Sequence, residues 1–208
     1  MSITLKKSAR CCKCGKKNEI TVYRSINVSE NPELKEKVKD GSLFVWQCPD
    51  CGTVNLARYE TLYHDPAERL MIWLKPEGDI SESEMQSITN HTRAMGGYTL
   101  RRVGDIGSLM EKVLIREAGL DDVAVEMCKW VTAAEMGVDV PIHFYRLGGD
   151  GDERYITLTF PKNGNMASCN IGFNVYEDCV GIIGRNDFIV PEEGFARVDQ
   201  QWLSGILR

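Results

Sequence analysis

A chain of 208 residues with 43% apolar composition is a folded globular protein, long enough for one domain or two, and is not a disordered one. Its formal charge of −5 is unevenly spread: residues 1–18 carry Lys6, Lys7, Arg10, Lys13, Lys16 and Lys17 with no acid, leaving 19 basic against 30 acidic residues elsewhere. The start, MSITLKKSAR, has no apolar run fit for a signal peptide and no stretch is long enough to span a membrane. The expectation is a cytoplasmic protein with reduced thiols and no membrane partner.

The first pattern along the chain is a pair of C-x-x-C-G knuckles: Cys11 and Cys14 before Gly15, then Cys48 and Cys51 before Gly52. C-x-x-C lets two thiolates from one tight turn reach the same ion, and glycine suits the sharp bend behind the second sulfur. Four soft donors make a tetrahedral site, so Cys11, Cys14, Cys48 and Cys51 are the expected ligands of a structural Zn²⁺. Cys12 leaves a second register open, Cys12 with Cys14; the spacing and glycine of the second knuckle favour Cys11. Cys128, Cys169 and Cys179 stand among apolar residues and read as buried structural thiols. Replacing Cys48 by serine is expected to lose the metal and unfold at least residues 8–75.

Between the knuckles, residues 19–28 alternate and are rich in β-branched side chains, which predicts a strand. A short helix follows over 31–38, with Asn31 as cap and Pro32 at its first position. Asp40-Gly41 turns the chain into a strand at 43–47 that delivers Cys48, and further strands are expected at 53–62 and 69–75. Beyond Pro76 the period changes. Ser81 to Glu84 form a capping box before a helix carrying Met85, Ile88 and Met95, which stops at Gly96-Gly97. A strand over 98–103 leads to a helix capped by Asp105, with Ile106, Leu109, Met110, Val113 and Leu114 on one side and Gly119 at its end. Asp121 opens another, with Ala124, Met127, Cys128 and Val131 inward and Gly137 closing it, so the two make a helical hairpin.

The last third reads as β again: 142–147 and 153–160 around a turn at 148–152, then short strands near 168–176 and 179–184. Asp150, Asp152 and Glu153 fit a hairpin turn and lack the spacing of a Ca²⁺ loop. A terminal helix from Asp199 places Trp202, Leu203, Ile206 and Leu207 on one face. The fold class is α+β: an N-terminal four-cysteine zinc-ribbon β-region, central helices with a helical hairpin, and a C-terminal β-rich segment with a terminal helix. The best boundary divides 1–76, the ribbon region, from 77–208, an α+β region that the first can also continue into as one domain. The chain shows no internal repeat and no low-complexity linker.

Taken together, Cys48-Pro49-Asp50-Cys51-Gly52, Ser25-Ile26-Asn27-Val28, Asn31-Pro32-Glu33-Leu34-Lys35, Asp40-Gly41 and Tyr63-His64-Asp65-Pro66 resemble the CpXC domain family of bacteria and archaea. The resemblance is best over residues 8–75 and extends to about 136, where Leu120-Asp121-Asp122 leads into a helix. Cys12 stands where that family usually has proline. The resemblance implies a cysteine-rich, zinc-binding domain and brings no established activity with it.

Function is read mainly by exclusion. Four cysteines close a zinc site, whereas catalytic zinc keeps a position open. Only His64, His91 and His143 are available as imidazoles; His64-Asp65 would face opposite sides of a strand, which disfavours a dyad. G-x-S-x-G, H-E-x-x-H and phosphate-binding glycine loops are all missing from the sequence. The expected role is a non-catalytic interaction module with a protein partner, with a homodimer left open. Two alternatives stand beside it. The six N-terminal bases suit a nucleic-acid binder, although the acidic remainder repels a polyanion and lysines also offset a tetrathiolate's charge. The other is an enzyme with a site near His64.

Overall fold

The computed structural model describes residues 1–76, 81, 83, 86, 87, 90 and 96–207. The helix expected after Ser81, with Met85, Ile88 and Met95, lies largely outside the described residues, as does His91. The chain forms two compact units. One takes Met1–Met110 and Glu193–Ala196, the other Glu111–Glu192 and Arg197–Arg208. Among the described residues no helix is long and apolar enough to cross a membrane.

The first unit is built on a five-stranded mixed sheet of order β1-β2-β5-β6-β7. β1 (Ile3–Arg10) pairs antiparallel with β2 (Lys17–Asn27), and β2 runs parallel to β5 (Thr61–Asp65). β5 pairs antiparallel with β6 (Leu70–Leu74), which runs parallel to β7 (Thr99–Val103). The expected strand at 53–62 is two: β4 (Val54–Leu56) closes a separate ribbon with β3 (Val45–Gln47), and β5 begins only at Thr61. Between them the Ala57 N–H donates to the Phe44 carbonyl at 2.7 Å, which turns the chain off the ribbon.

Alternation sorts β5 by face: Thr61, Tyr63 and Asp65 are buried, while Leu62 and His64 are half-buried. Ile26, Tyr63, Ile72 and Leu74 form the buried side of the sheet, and Leu34 and Val38 of α1 (Glu33–Lys39) are buried too. Lys35 ties α1 to β5 through an ion pair with Asp65 at 3.0 Å. On the opposite face Trp73, Leu100 and Phe195 pack with Leu62, Met71 and Tyr98. Phe195 arrives from the far end of the chain, where the Ala196 carbonyl accepts from the Arg102 N–H beside β7.

β1 has no counterpart in the sequence reading. Every residue of it except Ala9 is exposed, so no apolar alternation marks it, and its pairing with β2 defines it instead.

The second unit takes α2 (Ile106–Glu117) from Glu111 onward, α3 (Asp122–Met136) and an antiparallel sheet of order β10-β9-β8. The sheet comprises β8 (His143–Gly148), β9 (Tyr155–Lys162) and β10 (Asn165–Gly172). Asp121 caps α3 by accepting from the N–H groups of Val123 and Ala124.

The strands expected near 168–176 and 179–184 are corrected: β10 ends at Gly172 and α4 (Phe173–Gly184) follows. Val175, Val180, Ile182 and Ile183 suggest a strand by type. Yet it is Tyr176 and Cys179, three apart, that are buried, which is a helical period, and α4 packs on α3. The chain ends in α5 (Gln200–Ile206), capped by Asp199 and burying Leu203.

Candidate metal centre

Both knuckles are the tips of hairpins. Arg10 pairs with Lys17 across the first and Gln47 with Val54 across the second, so each C-x-x-C is the turn its strands hold shut. Their hydrogen bonds match. Cys11 N–H donates to Lys16 and Gly15 N–H to Cys11; Cys48 N–H donates to Thr53 and Gly52 N–H to Cys48, all at 2.9–3.0 Å. Gly15 and Gly52 sit at φ +70° and +69°, the left-handed region where a Cβ is unwelcome.

This geometry gathers the sulfurs of Cys11, Cys14, Cys48 and Cys51 within 4.8 Å of one another. Among the described residues they are the only group of three or more His, Cys, Asp or Glu placed to share an ion. Cys11 and Cys51 lie 3.5 Å apart, and Cys14 and Cys48 3.7 Å. A tetrahedron with metal–sulfur bonds of 2.3 Å has edges of about 3.8 Å, so the set fits a tetrahedral thiolate site. All eight cysteines are free thiols. Cys12 is exposed and outside the group; its N–H is held by Asn55 Oδ1 at 2.8 Å, which turns the first arm so that Cys11 enters.

Hydrogen bonds and proximity shape how the thiols ionise. The Cys14 N–H leads in holding Cys11 down to about 6. Although the Lys16 N–H favours its thiolate, Cys14 is pushed up to about 12 by burial and by the sulfurs around it. Thr53, through its hydroxyl and its N–H, lowers Cys51. Four sulfurs this close resist full ionisation until a cation offsets their charge, which is the behaviour of a metal-binding donor set.

Two asparagines missed in the sequence complete the site. Asn55, buried, donates from Nδ2 to Cys11 Sγ at 3.7 Å; Asn18 donates from Nδ2 to Cys48 Sγ at 3.7 Å. Each stands seven residues after the first cysteine of its own arm and reaches a sulfur of the other. The two arms therefore share an eight-residue pattern, C-x-x-C-G-x-x-N, which corrects the reading of no internal repeat, and that spacing was the available signal. Lys16 of one arm also pairs with Asp50 of the other. Asn55→Ala is expected to lower metal affinity about 10–100-fold, and Asn18→Ala less, because Asn18 is only half-buried. Competition with a chromophoric chelator measures both; equal affinity of wild type and Asn55→Ala would deny the amide its role.

The other candidates stand apart from this cluster. His64 Nε2 lies 3.2 Å from the Tyr98 hydroxyl, and burial moves the imidazole below its usual range. Asp65 turns to the opposite face, toward Lys35 and Tyr63, so the two share no dyad. Cys128 and Cys179 are buried and Cys169 half-buried. A sequence model of the CpXC protein family matches residues 9–129. No curated protein and no solved structure matches the chain.

Proposed function

The chain belongs to the CpXC family, and from that premise we propose that it is a non-catalytic interaction module. One structural Zn²⁺ on Cys11, Cys14, Cys48 and Cys51 would hold its N-terminal unit, and the partner would be another protein. The observation that carries this is the closed set of four sulfurs within 4.8 Å. Four thiolates leave no coordination position for substrate or water, and soft sulfur in a tetrahedron selects zinc or iron over hard cations. Eight free thiols suit a reducing compartment, the cytoplasm.

Native mass spectrometry beside a denatured run tests the reading. One zinc per chain, released on denaturation with four thiols freed, is the expected result. A mass deficit from disulfides, or a folded chain without metal, overturns it, and an iron mass would replace the ion.

The basic N-terminal residues favour a second reading, nucleic-acid binding. Lys16 is engaged by Asp50 and Lys6 approaches Glu19 at 3.8 Å, which leaves Lys7, Arg10, Lys13 and Lys17 to meet phosphate. That reading requires affinity for a labelled oligonucleotide to fall steeply with salt and to flatten when these bases are replaced.

A further inference from the structure

β1 is the edge of the five-stranded sheet: β2 pairs along one side, and no strand among the described residues pairs along the other. The outward backbone groups along these eight residues form a template for another extended chain, and proteins ordinarily shorten or cover such edges. This one is long, and apolar residues continue inward from it. Ile3 and Leu5 are 45% and 42% exposed on the side that leads into a groove of about 640 Å³. Lys7, Arg24, Leu62 and Trp73 line it further in, all within the first unit. The carboxylate in that groove, Glu60, accepts from the Trp73 indole at 2.8 Å and keeps its charge, and Lys7 and Arg24 outnumber it.

Charge decides the occupant. Two antiparallel β1 strands that keep their apolar sides on one face set Lys6 against Lys6 or Lys7 against Lys7 in their most overlapped registers, and like charges directly opposite repel. A second copy is therefore disfavoured. An incoming strand with acidic residues on one face would meet Arg10 and Lys6, the latter trading its long 3.8 Å contact with Glu19, while apolar residues on the other face would settle on Ile3 and Leu5. We infer that β1 is a docking edge for an extended acidic protein segment with alternating apolar residues, which joins the sheet as a sixth strand. The backbone edge and apolar groove favour a peptide over a nucleic acid, which would need the bases alone. The inference rests on reading the chain as an interaction module and names the surface that reading lacks.

The test uses the full, metal-loaded chain and a labelled eight-residue peptide alternating valine and glutamate, its ends blocked. Anisotropy is expected to show saturable binding, and hydrogen exchange to show new protection at alternate amides of β1. Lys6→Glu with Arg10→Glu should weaken binding about tenfold, as two cross-strand charge pairs turn from attraction to repulsion. Leu5→Glu should weaken it as well, with circular dichroism unchanged in both variants. No binding by a folded, metal-retaining chain overturns the proposal while leaving the metal reading intact. Equal binding of a valine–lysine peptide, protection away from β1, or capture of a single-stranded oligonucleotide in place of the peptide each overturns it too. Metal content measured on the same sample separates failure of the docking edge from failure of the metal-held module.

Discussion

Cys48→Ser is expected to release the metal and to strip hydrogen-exchange protection from both knuckles and from β3 and β4, while β5 and β6 keep theirs. Serine offers a harder, weakly acidic oxygen in place of a thiolate, and structural zinc contributes on the order of 10–16 kcal/mol to folding such sites. The ribbon has little else. It is three residue pairs long, with Val45, Val54 and Leu56 exposed, and a lone two-stranded ribbon is marginal in water. The five-stranded sheet differs, since Ile26, Tyr63, Ile72 and Leu74 are fully buried around it. Unfolding is therefore expected to be narrower than the whole of residues 8–75, which the cysteine spacing alone implies. Exchange mass spectrometry with a metal count reads both parts. Metal retained in Cys48→Ser, or β5 and β6 lost with the knuckles, would contradict this.

The second large effect belongs to the other unit. Lys129→Met is expected to destabilise it by about 3–5 kcal/mol, a large share of an ordinary domain's stability. Lys129 is buried between Glu111 at 2.9 Å and Glu126 at 2.8 Å, and Lys112 meets Asp122 at 2.9 Å and Glu126 at 3.2 Å. Glu111 also accepts from the Phe144 N–H at 2.7 Å and meets His143 Nδ1 at 3.0 Å. Removing one cation leaves two carboxylates buried with less to offset them, whereas methionine keeps most of the packing.

The same network sets an acid limb. Burial alone would raise the Glu111 carboxyl, yet Lys129 above all, with His143 and Lys112, holds it down from 4.5 to about 2. A folded value below the unfolded one stabilises above pH 4.5 and is lost as pH falls toward 2. Glu126 moves the other way, since burial raises it despite both lysines. Urea midpoints across this range should show the acid loss in wild type and a flatter profile in Lys129→Met. A change under about 1 kcal/mol at neutral pH would mean the network relaxes or admits water.

What could be read beforehand followed local chemistry. Asp105, Asp121 and the glycines after α2 and α3 marked helices because caps depend on single residues. Asn31-Pro32 marked a helix too, but α1 starts at Glu33 after Pro32 and no side chain caps it, which corrects Asn31 as its cap. The cysteines marked the centre for the same reason. Features that depend on neighbours were hidden. Asp122, Glu126 and Lys129 recur at helical spacing, a pattern that a solvated face and a buried network share, and nothing local says that Glu111 and Lys112 will meet them. β1 is exposed on both faces and exists through β2. In α4 the β-branched residues pointed to strand, and burial of Tyr176 and Cys179 overrode them. Asn163-Gly164 between β9 and β10, both at positive φ, was a legible two-residue hairpin turn that fixes where β10 begins.

That both knuckles crown local hairpins carries a kinetic meaning. Each hairpin closes over a short loop and needs no distant part of the chain, so both can form within microseconds. The parallel pairing of Ser25–Asn27 with Leu62–His64 is the slow, long-range event. An ion seized by the two tips would tether them first and shorten the search that remains. The metal would then act as an early matchmaker in assembly, and the chain would reach its sheet faster when metal is present at the start than when it is added at the end.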